Sequence, residues 1–229
     1  MRHNYEAIGG RSPLTDLTFA QGSALQARLG PDIPVVVGMR NWKPFLADAV
    51  AELARGGVTR VIAIPLAPQF STLSVAKDHE AAAAAMPAAM ELVRVDSFHT
   101  HPALVEAFAE RIEEAGCAPD EELIFHRAQP SPARHQSSGD RYATEVAETS
   151  RAIAARLGLT RYRRAFQSAG RSPEPWIALD LGEFLRHRAS RGATKFLIVP
   201  IRVRLRLHRG CCSTSTCRRR RSLANLACR

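Results

Sequence analysis

The sequence lacks several features that would assign it to a special class of protein. No stretch reaches the roughly 18 uninterrupted apolar residues that span a membrane. The N-terminal segment MRHNYEAIGG lacks the apolar centre of a secretory signal. Hydrophobic residues nevertheless make up 45% of the chain, which is enough for a packed core and argues against wholesale disorder. We therefore expect a globular cytoplasmic protein.

Acidic residues are absent from positions 201–229, although these positions contain nine arginines. The tail thus carries +9 of the net charge of +10, which leaves about +1 on the other 200 residues. Cysteine is divided in the same way, because Cys117 is the only cysteine before the tail. The tail contains Cys211, Cys212, Cys217 and Cys228. A simultaneous change in charge and cysteine content indicates that two kinds of sequence have been joined near residue 201.

Residues 33–200 alternate between short β-branched runs and helical patterns. The predicted strands cover 33–39, 58–68, 91–98, 121–125, 162–168 and 193–201. The predicted helices cover 42–56, 75 to about 86, 102–116, about 140–158 and 181–192. In the first of these helices, Phe45, Ala49, Val50 and Leu53 share one face and Gly56 ends the helix.

This alternation predicts βαβ crossovers and a doubly wound α/β fold with a parallel sheet. Ligands of such folds bind beyond the carboxyl ends of the strands. We therefore expect the chemistry to lie in the loops after Pro65, Phe125, Ser168 and Pro200.

Five segments, taken in chain order, resemble motifs of the ferrochelatase family. They are YEAIGGRSPL (5–14), GMRNWKPF (38–45), PLAPQFSTLS (65–74), GDRYATEVAETSRAIAARLG (139–158) and AFQSAGRSPEPW (165–176). Each segment alone would be a weak signal, but five collinear segments that run in order through nearly all of the chain before the tail are a strong one.

The resemblance implies a fold and an activity. The fold would comprise two similar Rossmann-like halves of the class II chelatase type, incomplete at both ends. The halves would cover residues 1–127 and 128–201, followed by a disordered, out-of-frame tail at 202–229. The activity would be insertion of Fe²⁺ into a porphyrin during haem biosynthesis. Iron would be a substrate, no cofactor would be bound permanently, and peripheral membrane contact is known in the family.

A porphyrin is a flat apolar disc with carboxylates at its rim, so its site needs apolar walls and a few polar groups. The resemblance assigns the walls to Phe70 and Trp176. It assigns the polar groups to Tyr5, Ser12, Gln69 and Ser71. The alternative is structural: Trp176 would pack in the core, and Gln69 and Ser71 would satisfy loop backbone groups.

The pattern breaks where the metal chemistry should lie. The family carries a His in a T/S-A-H-S-L-P loop and a Glu in a later segment, which accept protons and bind iron. Here Gln129 occupies the position of that His, and an amide cannot accept a proton near neutral pH. The segment RVRLRLHRG (202–210) contains no carboxylate. No catalytic or metal-binding residue is therefore intact, and we expect the chain as written to be inactive.

The genetic code offers an explanation for this break. Residues 126–131 can be encoded CAC CGC GCA CAG CCT TCC. A shift of one base then gives Thr-Ala-His-Ser-Leu-Pro, the family loop. Residues 202–209 shifted the same way allow Gly-Phe-Val-Cys-Asp-Tyr-Ile-Glu, and residues 211–216 shifted the other way allow Val-Leu-Phe-Asp-Ile-Asp. We hypothesise that the gene or its recorded sequence contains several frameshifts.

Three other interpretations remain open. His99 and His101, joined by His79, could chelate a metal, although a solvated loop before a helix is the simpler interpretation. The arginine run 218–221 could bind nucleic acid, but the tail has no recognisable binding fold, so no specific nucleic acid is expected. A porphyrin- or haem-binding protein without catalysis would retain the cleft alone. The choice between protoporphyrin and coproporphyrin, and the oligomeric state, stay open.

Overall fold

A computed structural model describes residues 10, 12–116, 122–128, 139–167, 180–201 and 208–211. The chain divides into two compact units. The first unit contains residues 1–65 and 75–95, and the second contains residues 66–74 and 96–229. The predicted division into halves at residues 127 and 128 stays a prediction.

The helices and strands follow the predicted alternation over most of the chain. The helices are α1 (Leu14–Leu29), α2 (Leu46–Arg55), α3 (Val75–Ala85), α4 (Pro102–Ala115), α5 (Tyr142–Arg156) and α6 (Leu181–Ser190). The strands are β1 (Arg60–Ala63), β2 (Glu91–Arg94), β3 (Glu122–Ala128), β4 (Arg163–Gln167), β5 (Lys195–Pro200) and β6 (His208–Cys211).

The first unit contains a βαβ element in which β1 pairs with β2 in parallel, from Arg60 beside Glu91 to Ala63 beside Arg94. Helix α2 buries Ala49, Val50 and Leu53, as its apolar spacing predicted. The prediction was wrong for Phe45. This residue is the N-cap of α2 and is 42% exposed, because its backbone N–H donates to the Asp48 carboxylate and the helix begins after it.

The predicted strand at 33–39 does not form. Among the described residues, no strand pairs with this segment, and its single ladder contact is an isolated bridge from Met39 to Phe45. The Gln26 side chain of α1 instead accepts a hydrogen bond from the Val35 N–H at 2.7 Å and donates to the Ile33 carbonyl at 3.1 Å. A β-branched run becomes a strand only where a neighbouring strand provides hydrogen bonds, which the local sequence does not specify.

The second unit contains a four-stranded sheet in the order β4-β3-β5-β6. Strand β3 pairs in parallel with both β4 and β5, whereas β6 runs antiparallel to β5. The parallel α/β architecture predicted from the sequence is therefore confirmed. Strand β6 is formed by four residues of the basic tail, and the prediction that the tail as a whole is disordered stays a prediction.

Alternate residues of β3 and β5 point to opposite faces of this sheet, as the strand period of two requires. One face carries Leu123, Phe125, Leu197 and Val199. It packs against α4 and α5 through Phe108, Ile112, Val146 and Ile153. The other face carries Ile124, Phe196 and Ile198 and packs against Leu181 and Phe184 of α6. The second unit is thus a three-layer structure with apolar contacts on both sheet faces.

Helices α4 and α5 are also joined at the surface by Arg156. Its guanidinium donates to both carboxylate oxygens of Glu106, with an Nε–Oε2 distance of 2.6 Å. Hydrogen bonding from Arg156 lowers the pKa of Glu106 below its usual range, and the same bond raises the pKa of Arg156. The pair therefore stabilises the contact between the helices while Glu106 is ionised.

No helix among the described residues is both long and apolar enough to cross a membrane.

We expect Leu197→Ala to destabilise the second unit by about 2–5 kcal/mol, because Leu197 is fully buried in the central strand and the truncation leaves a cavity. The free energy of unfolding is measured by urea denaturation. Leu66→Ala is the matched control, since Leu66 lies in the same unit and is 44% exposed. Equal effects of the two substitutions would contradict the buried position of β5.

We expect Glu106→Gln to lower stability at pH 7 and to have no effect in acid. The pKa of Glu106 is depressed in the folded state, so its contribution is present above the unfolded pKa of about 4.3 and is lost as the pH falls through the folded value. Urea denaturation of both proteins from pH 7 down to acid tests this. Glu110→Gln removes the same charge from an exposed position of the same helix and is the control; an equal loss of stability at pH 7 would assign the effect to net charge.

Candidate functional site

Strands β3, β4 and β5 end at one edge of the four-stranded sheet. Ala128 lies beside Gln167 and His126 lies beside Pro200, so the loops that follow these strands leave from a common edge. This is the carboxyl edge at which α/β folds bind ligands. Residues 129–138, 168–179 and 202–207 follow directly, and they lie outside the described residues.

A second element of the site is the segment Gln69–Thr72, which we name the QFST loop. The side chains of Gln69 and Ser71 are each 1% exposed, whereas that of Phe70 is partly exposed. Of these three residues, Phe70 is the one whose side chain is partly exposed to solvent. Gln69 donates from its amide to the Thr149 hydroxyl at 3.1 Å, so its side chain is tied to α5.

Asp140 fastens the end of the QFST loop to the start of α5. Its Oδ2 atom accepts hydrogen bonds from the Thr72 N–H at 3.0 Å, the Thr72 hydroxyl at 2.8 Å and the Ser71 hydroxyl at 3.4 Å. Its Oδ1 atom accepts from the Tyr142 N–H at 2.9 Å, in the first turn of the helix. Asp140 is 7% exposed, and these donors replace the water that an ionised carboxylate loses on burial.

Glu145 fastens the middle of the same loop. Its Oε2 atom accepts from the Phe70 N–H at 2.6 Å and from the Ser97 hydroxyl at 2.7 Å. The Arg141 Nε lies 3.4 Å from Oε1. The Glu145 side chain is 5% exposed. The backbone of Phe70 is thus held by a buried carboxylate that accepts more than one hydrogen bond.

Ser97, His99 and Glu148 extend this network. The Ser97 hydroxyl lies 2.7 Å from His99 Nδ1 and 2.9 Å from the Pro68 carbonyl, and His99 Nε2 lies 2.8 Å from Glu148 Oε2. The Thr149 hydroxyl makes a 3.0 Å hydrogen bond to the His99 carbonyl. His99 therefore joins the segment that precedes α4, to which it belongs, to α5.

The exposed side of the loop pairs an aromatic ring with a cation. The guanidinium carbon of Arg141 lies 4.6 Å from the centroid of the Phe70 ring, within the range of a cation–π interaction. The Arg141 side chain is 54% exposed. Arg141 thus lies between the Phe70 ring and the Glu145 carboxylate, with part of its side chain open to solvent.

The predicted porphyrin-binding residues are placed as follows. Gln69, Phe70 and Ser71 lie together in the QFST loop, and the two polar ones make structural hydrogen bonds there. Ser12 lies in the first unit, where its hydroxyl accepts from the Leu14 N–H at the start of α1. Tyr5, Gln129 and Trp176 lie outside the described residues. The binding role of all six and the replacement of the metal-site His by Gln129 stay predictions.

The histidines considered for metal binding make other contacts. His79 Nε2 lies 3.2 Å from the Val95 carbonyl in the first unit, and His101 caps α4 by accepting from the Ala103 N–H. Among the residues described by the structure, no three His, Cys, Asp or Glu side chains are placed to hold a metal ion.

Asp140, Glu145 and Ser97 do not stand out in the sequence as site residues. Asp140 follows a glycine and precedes a helix, which is the signal of a helix cap. Its bond to the QFST loop spans 68 residues of sequence, so no local pattern could reveal it.

We expect Asp140→Ala to destabilise the second unit by roughly 2–4 kcal/mol, because it leaves the Thr72 and Tyr142 N–H groups without their acceptor. Hydrogen exchange of the Thr72 amide should accelerate by about tenfold or more, while exchange in β3 changes less. Urea denaturation and amide exchange measured by NMR test the two parts.

Glu110→Ala removes an exposed carboxylate in the same unit and serves as the matched control. Unchanged exchange at Thr72 in the Asp140→Ala protein would show that Asp140 does not hold the loop.

Several known proteins of similar sequence are described as ferrochelatase or as coproporphyrin III ferrochelatase. A family model described as ferrochelatase matches residues 1–202. The chain is 38% identical to the ferrochelatase of Deinococcus radiodurans over 212 residues, which cover 87% of this chain and 67% of that protein. It is 36% identical to the ferrochelatase of Thermus thermophilus, covering 81% of this chain and 67% of that protein. It is 31% identical to the coproporphyrin III ferrochelatase of a Geobacillus species, covering 88% and 69%.

The chain spans about two thirds of the length of these relatives. Among solved structures, it resembles SirB from Bacillus subtilis with Fe³⁺, with a TM-score of 0.58 and 14% identity. The resemblance covers 84% of this chain and 72% of SirB and confirms the class II chelatase fold. On the family match and the identity to its relatives, the chain belongs to the ferrochelatase family, whose activity is the insertion of iron into a porphyrin in haem biosynthesis.

Proposed function

We propose that this chain binds a porphyrin through the QFST loop and the carboxyl edge of its sheet, and that it does not insert iron as written. The observation that carries the proposal is the pair of buried carboxylates, Asp140 and Glu145, which hold the QFST loop in place. A loop fixed by two desolvated carboxylates is a preorganised wall for a flat ligand. The proposed substrates are a porphyrin with carboxylates at its rim and Fe²⁺.

Iron insertion requires chemistry that the chain as written does not supply. Fe²⁺ replaces the two N–H protons of the porphyrin, so two protons leave as the metal enters. Imidazole and carboxylate can accept these protons and bind iron on its way to the ring. Gln129 cannot accept a proton near neutral pH, and residues 202–210 offer no carboxylate.

Frameshifts at both positions account for these losses. The family match ends at residue 202, beside the position where the charge and cysteine content change. Family-like residues resume at Gly139 and Asp140, after the altered loop. This pattern supports single-base changes on both sides of a short segment rather than a new binding loop. We also propose a cytoplasmic location, in keeping with a sequence that has no apolar span.

We expect coproporphyrin III or protoporphyrin IX to bind the purified chain, with a shift of the porphyrin absorbance band, and we expect no haem after anaerobic addition of Fe²⁺. Both porphyrins are needed because relatives are named both ferrochelatase and coproporphyrin III ferrochelatase. Absorbance titration measures binding, and the spectrum of the iron product measures insertion. Haem formation by the unaltered chain at the rate of an active relative would disprove the loss of activity.

The origin of the altered segments has its own test. Resequencing the DNA across codons 120–135 and 198–229 should reveal single-base insertions or deletions that restore the family loop. In parallel, residues 127–132 are replaced by Thr-Ala-His-Ser-Leu-Pro, which puts the His at position 129, and residues 202–209 by Gly-Phe-Val-Cys-Asp-Tyr-Ile-Glu. We expect iron insertion to rise only in the double replacement, with each single replacement as a control. A confirmed DNA sequence together with an inactive double replacement would refute the frameshift hypothesis.

A further inference from the structure

We infer that Arg141, held over the Phe70 ring, recognises a carboxylate at the rim of the porphyrin. The inference rests on the proposed function, because it assigns a role within the same cleft. It concerns a residue that the sequence motifs did not single out. Arg141 adjoins Asp140 and immediately precedes α5, which begins at Tyr142.

The position of Arg141 is fixed by three contacts. It follows Asp140 in the chain, and the Asp140 side chain accepts hydrogen bonds from both α5 and the QFST loop. Its guanidinium carbon lies 4.6 Å from the centroid of the Phe70 ring, and its Nε lies 3.4 Å from Glu145 Oε1. The same Glu145 holds the backbone of Phe70 through Oε2. One buried carboxylate therefore orients both the aromatic ring and the cation above it.

Stacking leaves the hydrogen-bonding edge of the guanidinium accessible. The N–H groups of arginine lie in the plane of the guanidinium, so contact between its face and a ring does not use them. The Arg141 side chain is 54% exposed, which allows an approaching carboxylate to reach this edge. Arginine binds carboxylates through two parallel hydrogen bonds, and this geometry is stronger and more specific than a single contact.

Glu145 has hydrogen-bond donors other than Arg141. Its Oε2 atom already accepts from the Phe70 N–H at 2.6 Å and the Ser97 hydroxyl at 2.7 Å. A ligand carboxylate can therefore bind Arg141 in addition to Glu145 or in its place. Glu145 keeps two hydrogen-bond donors in either case. The carboxylates of Asp140, Glu145 and Glu148 would repel an anionic ligand, so a cation at this position offsets an unfavourable local charge.

The arrangement matches the two chemical parts of a porphyrin. Phe70 supplies an apolar aromatic edge beside the disc, and Arg141 supplies the charged group for its rim. The structure thus favours a porphyrin with free carboxylates over an esterified one. The binding energy that depends on Arg141 should disappear when the carboxylates of the ligand are esterified.

The test compares Arg141→Gln and Arg141→Lys with the unaltered full chain. The ligands are coproporphyrin III, which carries free carboxylates, and its tetramethyl ester, titrated in the same mild detergent. We expect Arg141→Gln to weaken binding of the acid by about tenfold and to leave binding of the ester unchanged. Arg141→Lys should fall between the two, because it keeps the charge and loses the planar fork.

Arg151→Gln is the matched control. It removes the same charge from an exposed position of the same helix, about 15 Å further along the axis. If Arg141→Gln and Arg151→Gln weaken binding of the acid equally, the effect comes from net charge alone, and the inference is overturned. Equal weakening of acid and ester by Arg141→Gln would assign Arg141 a structural role and also overturn it.

The outcome also separates this inference from the proposed function. If the unaltered chain binds the acid tightly and Arg141→Gln binds it equally well, the inference fails while porphyrin binding stands. If the unaltered chain binds neither the acid nor the ester, porphyrin binding fails and the inference fails with it.

Discussion

The burial of two carboxylates at the start of α5 is the constraint on which the candidate site depends. A carboxylate that loses its water must gain hydrogen-bond donors, because an unpaired buried charge costs several kcal/mol. Asp140 and Glu145 gain theirs from the QFST loop and from Ser97, which are about 50–75 residues away in sequence. Helix α5, the loop and the segment before α4 can therefore adopt their final positions only together.

This constraint also explains how the QFST loop can keep its position beside the segment that we propose to be frameshifted. The two carboxylates, the QFST loop and the apolar core residues of the sheet all lie outside residues 126–138. Strand β3 pairs with β5 as far as His126 and with β4 as far as Ala128. The segments that hold the QFST loop are thus distinct from the segment that we propose to be frameshifted, so a change of reading frame there would leave the contacts of the loop in place.

Most helices and strands were predictable because their signals are local. Helix α4 ends at Gly116, which adopts a positive φ of 64°, and its apolar residues face the sheet at the expected spacing. The predicted strand at 33–39 and the predicted burial of Phe45 failed for a different reason. Strand formation needs a partner, and the burial of a residue beside a helix start depends on where the backbone turns. Neither is encoded by the apolar pattern alone.

The sequence by itself determined the alternation of strands and helices, the family, the segment that carries Gln69, Phe70 and Ser71, and the absence of a family-like His and Glu. These properties are readable because they depend on residue type, order and spacing. The tertiary structure alone decided that Gln69 and Ser71 are buried, that Asp140 and Glu145 hold the loop, and that Arg141 lies on Phe70. Those contacts join distant parts of the chain. Their physical basis is the need of buried charges for donors, which the folded chain meets only when these segments come together.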